Sequence, residues 1–157
     1  MKVSGRAAQG SRGRLGLPVL GVIGLALLGV PRVVAHDLGL VGAAGNAFLV
    51  WAPLTVWVAV VLWRRVPNPL VPLIAVGVAY GVLLAVAHQA TWAWAFDTPP
   101  ALGGGLEGVL PPAAEGFLMR GFSFVSSLFV GTLVGAGCGV VAWLVSRAIP
   151  GYPRTPG

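Results

Sequence analysis

Four apolar runs, each long enough to cross a bilayer, fill most of the chain between residues 15 and 149. A membrane-spanning helix needs about 20 predominantly apolar residues. The runs cover about residues 15–35, 40–63, 70–96 and 117–149. Only 9% of the 157 residues are charged and 57% are hydrophobic, whereas soluble domains carry roughly 25% charged residues. A water-soluble fold of this length has too little interior to hide that surface. Lipid is therefore the expected solvent.

Apolarity alone does not separate helix from strand. Membrane strands need only about 9–11 residues and alternate in hydropathy, and no alternation is visible here. The expected fold class is all-α: an integral membrane bundle of four transmembrane helices in one domain, residues 1–157. A tail, 1–14, and a loop, 97–116, leave no room for a soluble domain. The segment Arg64-Arg65-Val66-Pro67-Asn68-Pro69 stops the second run, because proline removes a backbone donor. Pro53, deep in that run, is expected to kink it and free a carbonyl near Leu49. The fourth run exceeds the bilayer's need and is expected to tilt or project.

Charge sets the orientation. Lys2, Arg6, Arg12 and Arg14 precede the first run, Arg64 and Arg65 separate the second and third, and Arg147 and Arg154 close the chain. With four spans these regions share one side, which holds eight of the ten Lys and Arg residues. The other side holds Arg32, Arg120 and all four acids, Asp37, Asp97, Glu107 and Glu115. Positive segments stay in the cytoplasm, so both termini are expected there and the 97–116 loop outside. A competing reading makes the basic start and first apolar run a secretory signal cleaved after Ala35; it leaves three spans with unchanged orientation. The preference for Gly, Ala, Val, Leu and Arg, with a single Lys, fits a GC-rich bacterial genome and hence the inner (plasma) membrane. The net charge of +6 lacks the aromatic-interleaved basic patch of a nucleic-acid binder, and none is expected. Cys138 alone allows no internal disulfide and is expected to fill space.

Small residues recur every four positions in the fourth run: Ser123, Ser127, Gly131, Gly135 and Gly139. Such a stripe lets helix backbones approach closely in lipid. Gly77, Gly81 and Ala85 form a shorter version in the third run. The stripe predicts packing on that face. Its partner is either a helix of the same bundle or, through the fourth helix, another copy or another membrane protein.

The stretch LAVAHQATWAWAFD, residues 84–97, places His88 and Gln89 inside an apolar run. Trp92, Trp94 and Phe96 mark the outer interface, where aromatic rings settle. His88 then lies roughly 6–9 Å deeper, at 1.5 Å per residue. The other runs place Arg32, His36, Asp37, Asn46, Glu115 and Arg120 at the same level. Ionisable groups within a membrane usually face partners or water. A polar pocket in the outer leaflet is expected from Arg32, His36, Asp37, Asn46, His88, Gln89, Glu115 and Arg120. The bland alternative is a structural network, for example Arg32 with Asp37 or Glu115.

Three functional classes follow. An accessory, binding or sensing protein matches a pocket without a through-path. An oligomeric channel or transporter component would use the stripe of the fourth helix, although the inner half of the spans is almost free of polar groups. A haem or metal site would use His36 and His88, but no spacing motif supports it and no cofactor is predicted. No nucleophile stands at a recognisable spacing from a base, so the balance is against an enzyme.

Overall fold

The computed structural model describes residues 16–96, 98 and 100–153. The 1–14 tail, Leu15, Asp97 and Arg154 lie outside the described residues. Within them the chain is helical, with no strand: α1 (Val19–Leu27), α2 (Val30–Asp37), α3 (Ala43–Trp63), α4 (Leu70–Ala95) and α5 (Pro112–Ala148), with a short 3-10 turn at Gly104–Leu106 between α4 and α5. Four stretches, Val19–Asp37, α3, α4 and α5, are long and apolar enough to cross a membrane.

The first run is broken where one helix was expected. Pro31 has no N–H to offer the carbonyl of Leu27, four residues back. The N–H groups of Leu28 and Gly29 turn instead to the carbonyls of Leu25 and Ala26, each at 3.1 Å. Trp57 of α3 closes the break by donating its indole N–H to the Leu25 carbonyl at 2.7 Å. Gly29 is required here, because a Cβ on it would lie 2.5 Å from the Tyr80 ring. Tyr80 in turn meets Trp57 edge-on, with ring centroids 5.5 Å apart.

α2 runs two residues beyond the expected end of the span. Gly39, at φ +63, terminates it, with Leu40 N–H bonded to Ala35 and Gly39 N–H to His36. This is the Schellman arrangement, and it leaves Asp37 as the last helical residue. α3 continues through Pro53, which is buried. α5 begins at Pro112 rather than near Phe117, because proline at the first helical position presets the backbone. Its 37 residues make it about 55 Å long against a hydrocarbon core of about 30 Å.

α4 is the centre of the bundle. Leu73, Val76 and Tyr80 face α1, α2 and α3 in the core with Ala26, Val33, Trp57 and Val61. The adjacent face, which carries Gly77 and Gly81, meets α5 glycine to glycine. A Cβ on Gly77 would lie 2.5 Å from the Gly131 carbonyl and 2.6 Å from the Gly135 Cα. At one end of the bundle, Leu17, Val66 and Tyr152 are buried together. The Tyr152 hydroxyl donates to the Val66 carbonyl at 3.1 Å, and Arg65 Nη1 to the Gly151 carbonyl at 3.2 Å. The segment before α1, the α3–α4 turn and the segment after α5 therefore share that end. The outer surface is apolar, with Leu20, Phe48, Trp51, Trp63, Phe117 and Phe129 exposed.

Candidate functional site

The opposite end carries the polar groups, and its centre is a carboxylate. Asp37 closes α2, and α4 passes beside it. His88 and Thr91, three residues apart on α4, share one helix face. Both turn to the same oxygen: His88 Nδ1 lies 2.8 Å from Asp37 Oδ2, and the Thr91 hydroxyl donates to that oxygen at 2.6 Å. Thr91 Oγ1 also lies 3.0 Å from the Ala87 carbonyl. The second carboxylate oxygen lies 3.6 Å from His36 Nδ1. The Asp37 side chain is 6% exposed and that of His36 62%, so Asp37 is the buried hub and His36 its rim.

With an ionised Asp37, His88 Nδ1 carries the proton that donates to it. A carboxylate on one ring nitrogen sets the tautomer and orients the ring. His88 Nε2 is then the acceptor, and it has no hydrogen-bond partner among the described residues. The ring lines a cleft of about 430 Å³ together with Arg32, His36, Asp37, Trp92 and Ser123. Ser123 makes no hydrogen bond to His88 within the described residues, so a hydrogen-bonded Ser-His-Asp relay is not formed.

Arg32 lies one turn before His36 on α2. It forms no ion pair with Asp37 or Glu115: among the described residues the ion pairs are His36–Asp37 and His88–Asp37. Asp37 is taken by α4, and Glu115 accepts a hydrogen bond from the Leu102 backbone N–H, which ties the loop to the start of α5. The Arg32 Nε is buried without a partner among the described residues. Arg32 also lines a second cavity, of about 240 Å³, whose other walls include Gly29, Leu49, Pro53, Trp57 and Tyr80.

The eight residues expected in one pocket thus fall into four places. Arg32, His36, Asp37 and His88 come together at the cleft. Gln89 pairs with Arg120: the Gln89 amide donates to the Arg120 carbonyl and Arg120 Nη1 to Gln89 Oε1, both at 3.2 Å. The Arg120 guanidinium then stacks 4.9 Å from the Trp92 ring centre. Glu115 serves the loop. Asn46, at the start of α3, does not line the cleft, and its Oδ1 is buried without a partner among the described residues. Sequence reasoning missed Thr91, although its i, i+3 spacing from His88 was a usable signal. It also missed Trp57, whose link to Leu25 has no local signature.

The stripe of α5 lies against α4. Ser127, Gly131, Gly135 and Gly139 are buried, and Ser123 is half-buried at the cleft. Among the described residues no group of three or more His, Cys, Asp and Glu side chains is placed to hold a metal ion.

No protein-family model, curated protein or solved structure matches this chain.

Proposed function

We propose that this chain is a multi-pass protein of a bacterial inner membrane, with both termini cytoplasmic, that binds or senses an extracytoplasmic ligand through the cleft between α2, α4 and α5. Four helical stretches of sufficient length and apolarity support membrane insertion, as does an outer surface of Leu, Val, Phe and Trp that only lipid would solvate well. Orientation rests on the arginines. Arg64, Arg65 and Arg147 lie towards the end where Tyr152 is buried, and Asp37, Glu107 and Glu115 lie towards the other. Positive segments are retained in the cytoplasm.

The observation that carries the binding role is the buried Asp37 carboxylate holding His88 by its Nδ1, with the ring facing a cleft. His88 Nε2 is engaged by none of the described residues and stays open to a ligand, since a third of the side chain is exposed. Cleft size also fits, since small-molecule sites run from about 300 to 1,000 Å³. An accessory or sensing role suits a cleft that stops short of the apolar inner half of the bundle. The oligomeric channel reading needs a free small-residue face on α5, and α4 of the same chain occupies that face. A haem or metal reading would use His36 and His88, whose Nδ1 atoms both lie against Asp37.

Native mass spectrometry of protein released from lipid nanodiscs tests the binding role. The expected result is a discrete added mass on the wild-type chain that is lost from His88→Ala with the fold retained. A bare chain under every gentle release condition would remove the binding role.

A further inference from the structure

The cleft and the apolar cavity share one residue, Arg32. The cleft side is polar, with His36, Asp37, His88 and Ser123. The cavity side is walled by Leu49, Pro53, Trp57 and Tyr80. Gly29 lets the Tyr80 ring pack directly against the α1–α2 break and form that wall, since any side chain there would strike the ring. At the junction stands a guanidinium whose Nε is shut off from water and lacks a partner within the described residues. A buried donor without an acceptor is costly, and more so when it is charged. The acid nearest in sequence, Asp37, is already engaged by His88 and Thr91.

We infer that Arg32 receives the anionic headgroup of a single-chain amphiphile, whose tail enters the cavity between Gly29, Pro53, Trp57 and Tyr80. A planar guanidinium binds a carboxylate or a phosphate through paired N–H donors, and an anion here would supply the acceptor that Nε lacks. The short apolar cavity takes a tail and nothing polar. A soluble anion would leave that cavity unused, and a neutral amphiphile would leave Arg32 unpaired. His88 Nε2 and the Ser123 hydroxyl, on the cleft walls, are placed to select among headgroups. This inference rests on the cleft being a binding site and adds the ligand's chemical class.

Calorimetric titration in phosphatidylcholine nanodiscs tests it, with dodecanoate and dodecyl phosphate as probes. Dodecanol, dodecyltrimethylammonium, acetate and inorganic phosphate serve as controls. The expected result is saturable binding of at least one of the two anionic probes, at one per chain. Arg32→Gln should weaken it tenfold or more, and Arg32→Lys less. Val50 also lines the cavity, and Val50→Phe, which narrows it, should weaken the dodecyl probe while sparing hexanoate. Melting curves of each variant establish that it folds. Nanodiscs containing phosphatidylglycerol distinguish a bilayer lipid from a free amphiphile: competition with the probe would identify the bilayer as a source. Equal binding by wild type and a folded Arg32→Gln, or equal binding of dodecanol, overturns the inference. Arg32-dependent binding of acetate or inorganic phosphate alone also overturns it, while leaving a binding cleft. Failure of every probe together with a bare chain in native mass spectrometry removes both.

Discussion

The indole N–H of Trp57 donates to the Leu25 carbonyl at 2.7 Å, across the break in the first apolar run. Trp57 is fully buried, so the bond satisfies a carbonyl that the helix at the break serves poorly. It also locks α3 to the point where α2 changes course. The direction of α2 then decides where Arg32, His36 and Asp37 stand. Trp57→Phe keeps an aromatic side chain, smaller than the indole, and removes the donor. It should lower stability by about 1–3 kcal/mol, through the lost bond and the space a smaller ring leaves in the core. Thermal unfolding in detergent measures the loss.

Gly135 and Gly137 lie two residues apart on α5 and should respond oppositely to alanine. A Cβ on Gly135 would fall 2.6 Å from the Gly77 Cα, whereas one on Gly137 meets nothing within 4 Å. Gly135→Ala should destabilise by about 1–3 kcal/mol through overpacking. Gly137→Ala should be neutral or stabilising by up to about 1 kcal/mol, the helix preference of alanine over glycine. Equal effects would show that α4 and α5 do not meet there.

Asp37 and His88 should be energetically coupled. A double-mutant cycle with Asp37→Ala and His88→Ala should give a coupling of about 1 kcal/mol, within the range of polar contacts between membrane helices. A third of the His88 side chain is exposed, which keeps the figure from rising further. The control cycle, His88→Ala with Gln89→Ala, should be close to additive.

Tyr152 gives the fold an alkaline limit. Burial pushes its phenol above the ordinary tyrosine value, against the pull of the Arg65 guanidinium in the other direction. The folded chain therefore holds this proton more tightly than the unfolded chain does. The contribution is complete below the ordinary tyrosine pKa of about 10 and is lost as pH rises from there through the folded value. Melting temperatures followed from neutral to strongly alkaline pH should show that loss in the wild type. Tyr152→Phe should start lower by about 1 kcal/mol of stability, through the missing bond to Val66, and lack this component of the alkaline loss.

Orientation is open to labelling. In a Cys138→Ala background, Glu107→Cys should react with an impermeant maleimide added to intact cells. Asn68→Cys should react only after the membrane is opened. The reverse pattern would invert the topology and place the cleft on the cytoplasmic side.

Apolar run length and the Pro and Gly positions sufficed, from sequence alone, for an all-helical chain with four long apolar stretches, and for the bounds of the second and third to within a few residues. These properties are local. A helix forms where each residue's neighbours along the chain permit it, and stops where proline or a left-handed glycine such as Gly39 removes the next hydrogen bond. The break at Leu28 and Gly29 was present in the sequence as Pro31. What holds it is not, because Trp57 reaches Leu25 from another helix. The same division runs through the site. Residue order shows that Arg32, His36, Asp37 and His88 lie towards one end of the bundle. Only packing decides that Asp37 takes His88, 51 residues away, rather than Arg32 five residues back. It likewise decides that Gly131 and Gly135 spend their close approach on Gly77 and Gly81. Hydropathy and spacing carry no term for which helix faces which. That choice is made by shape, where backbones without side chains can touch and where one carboxylate has room for two donors.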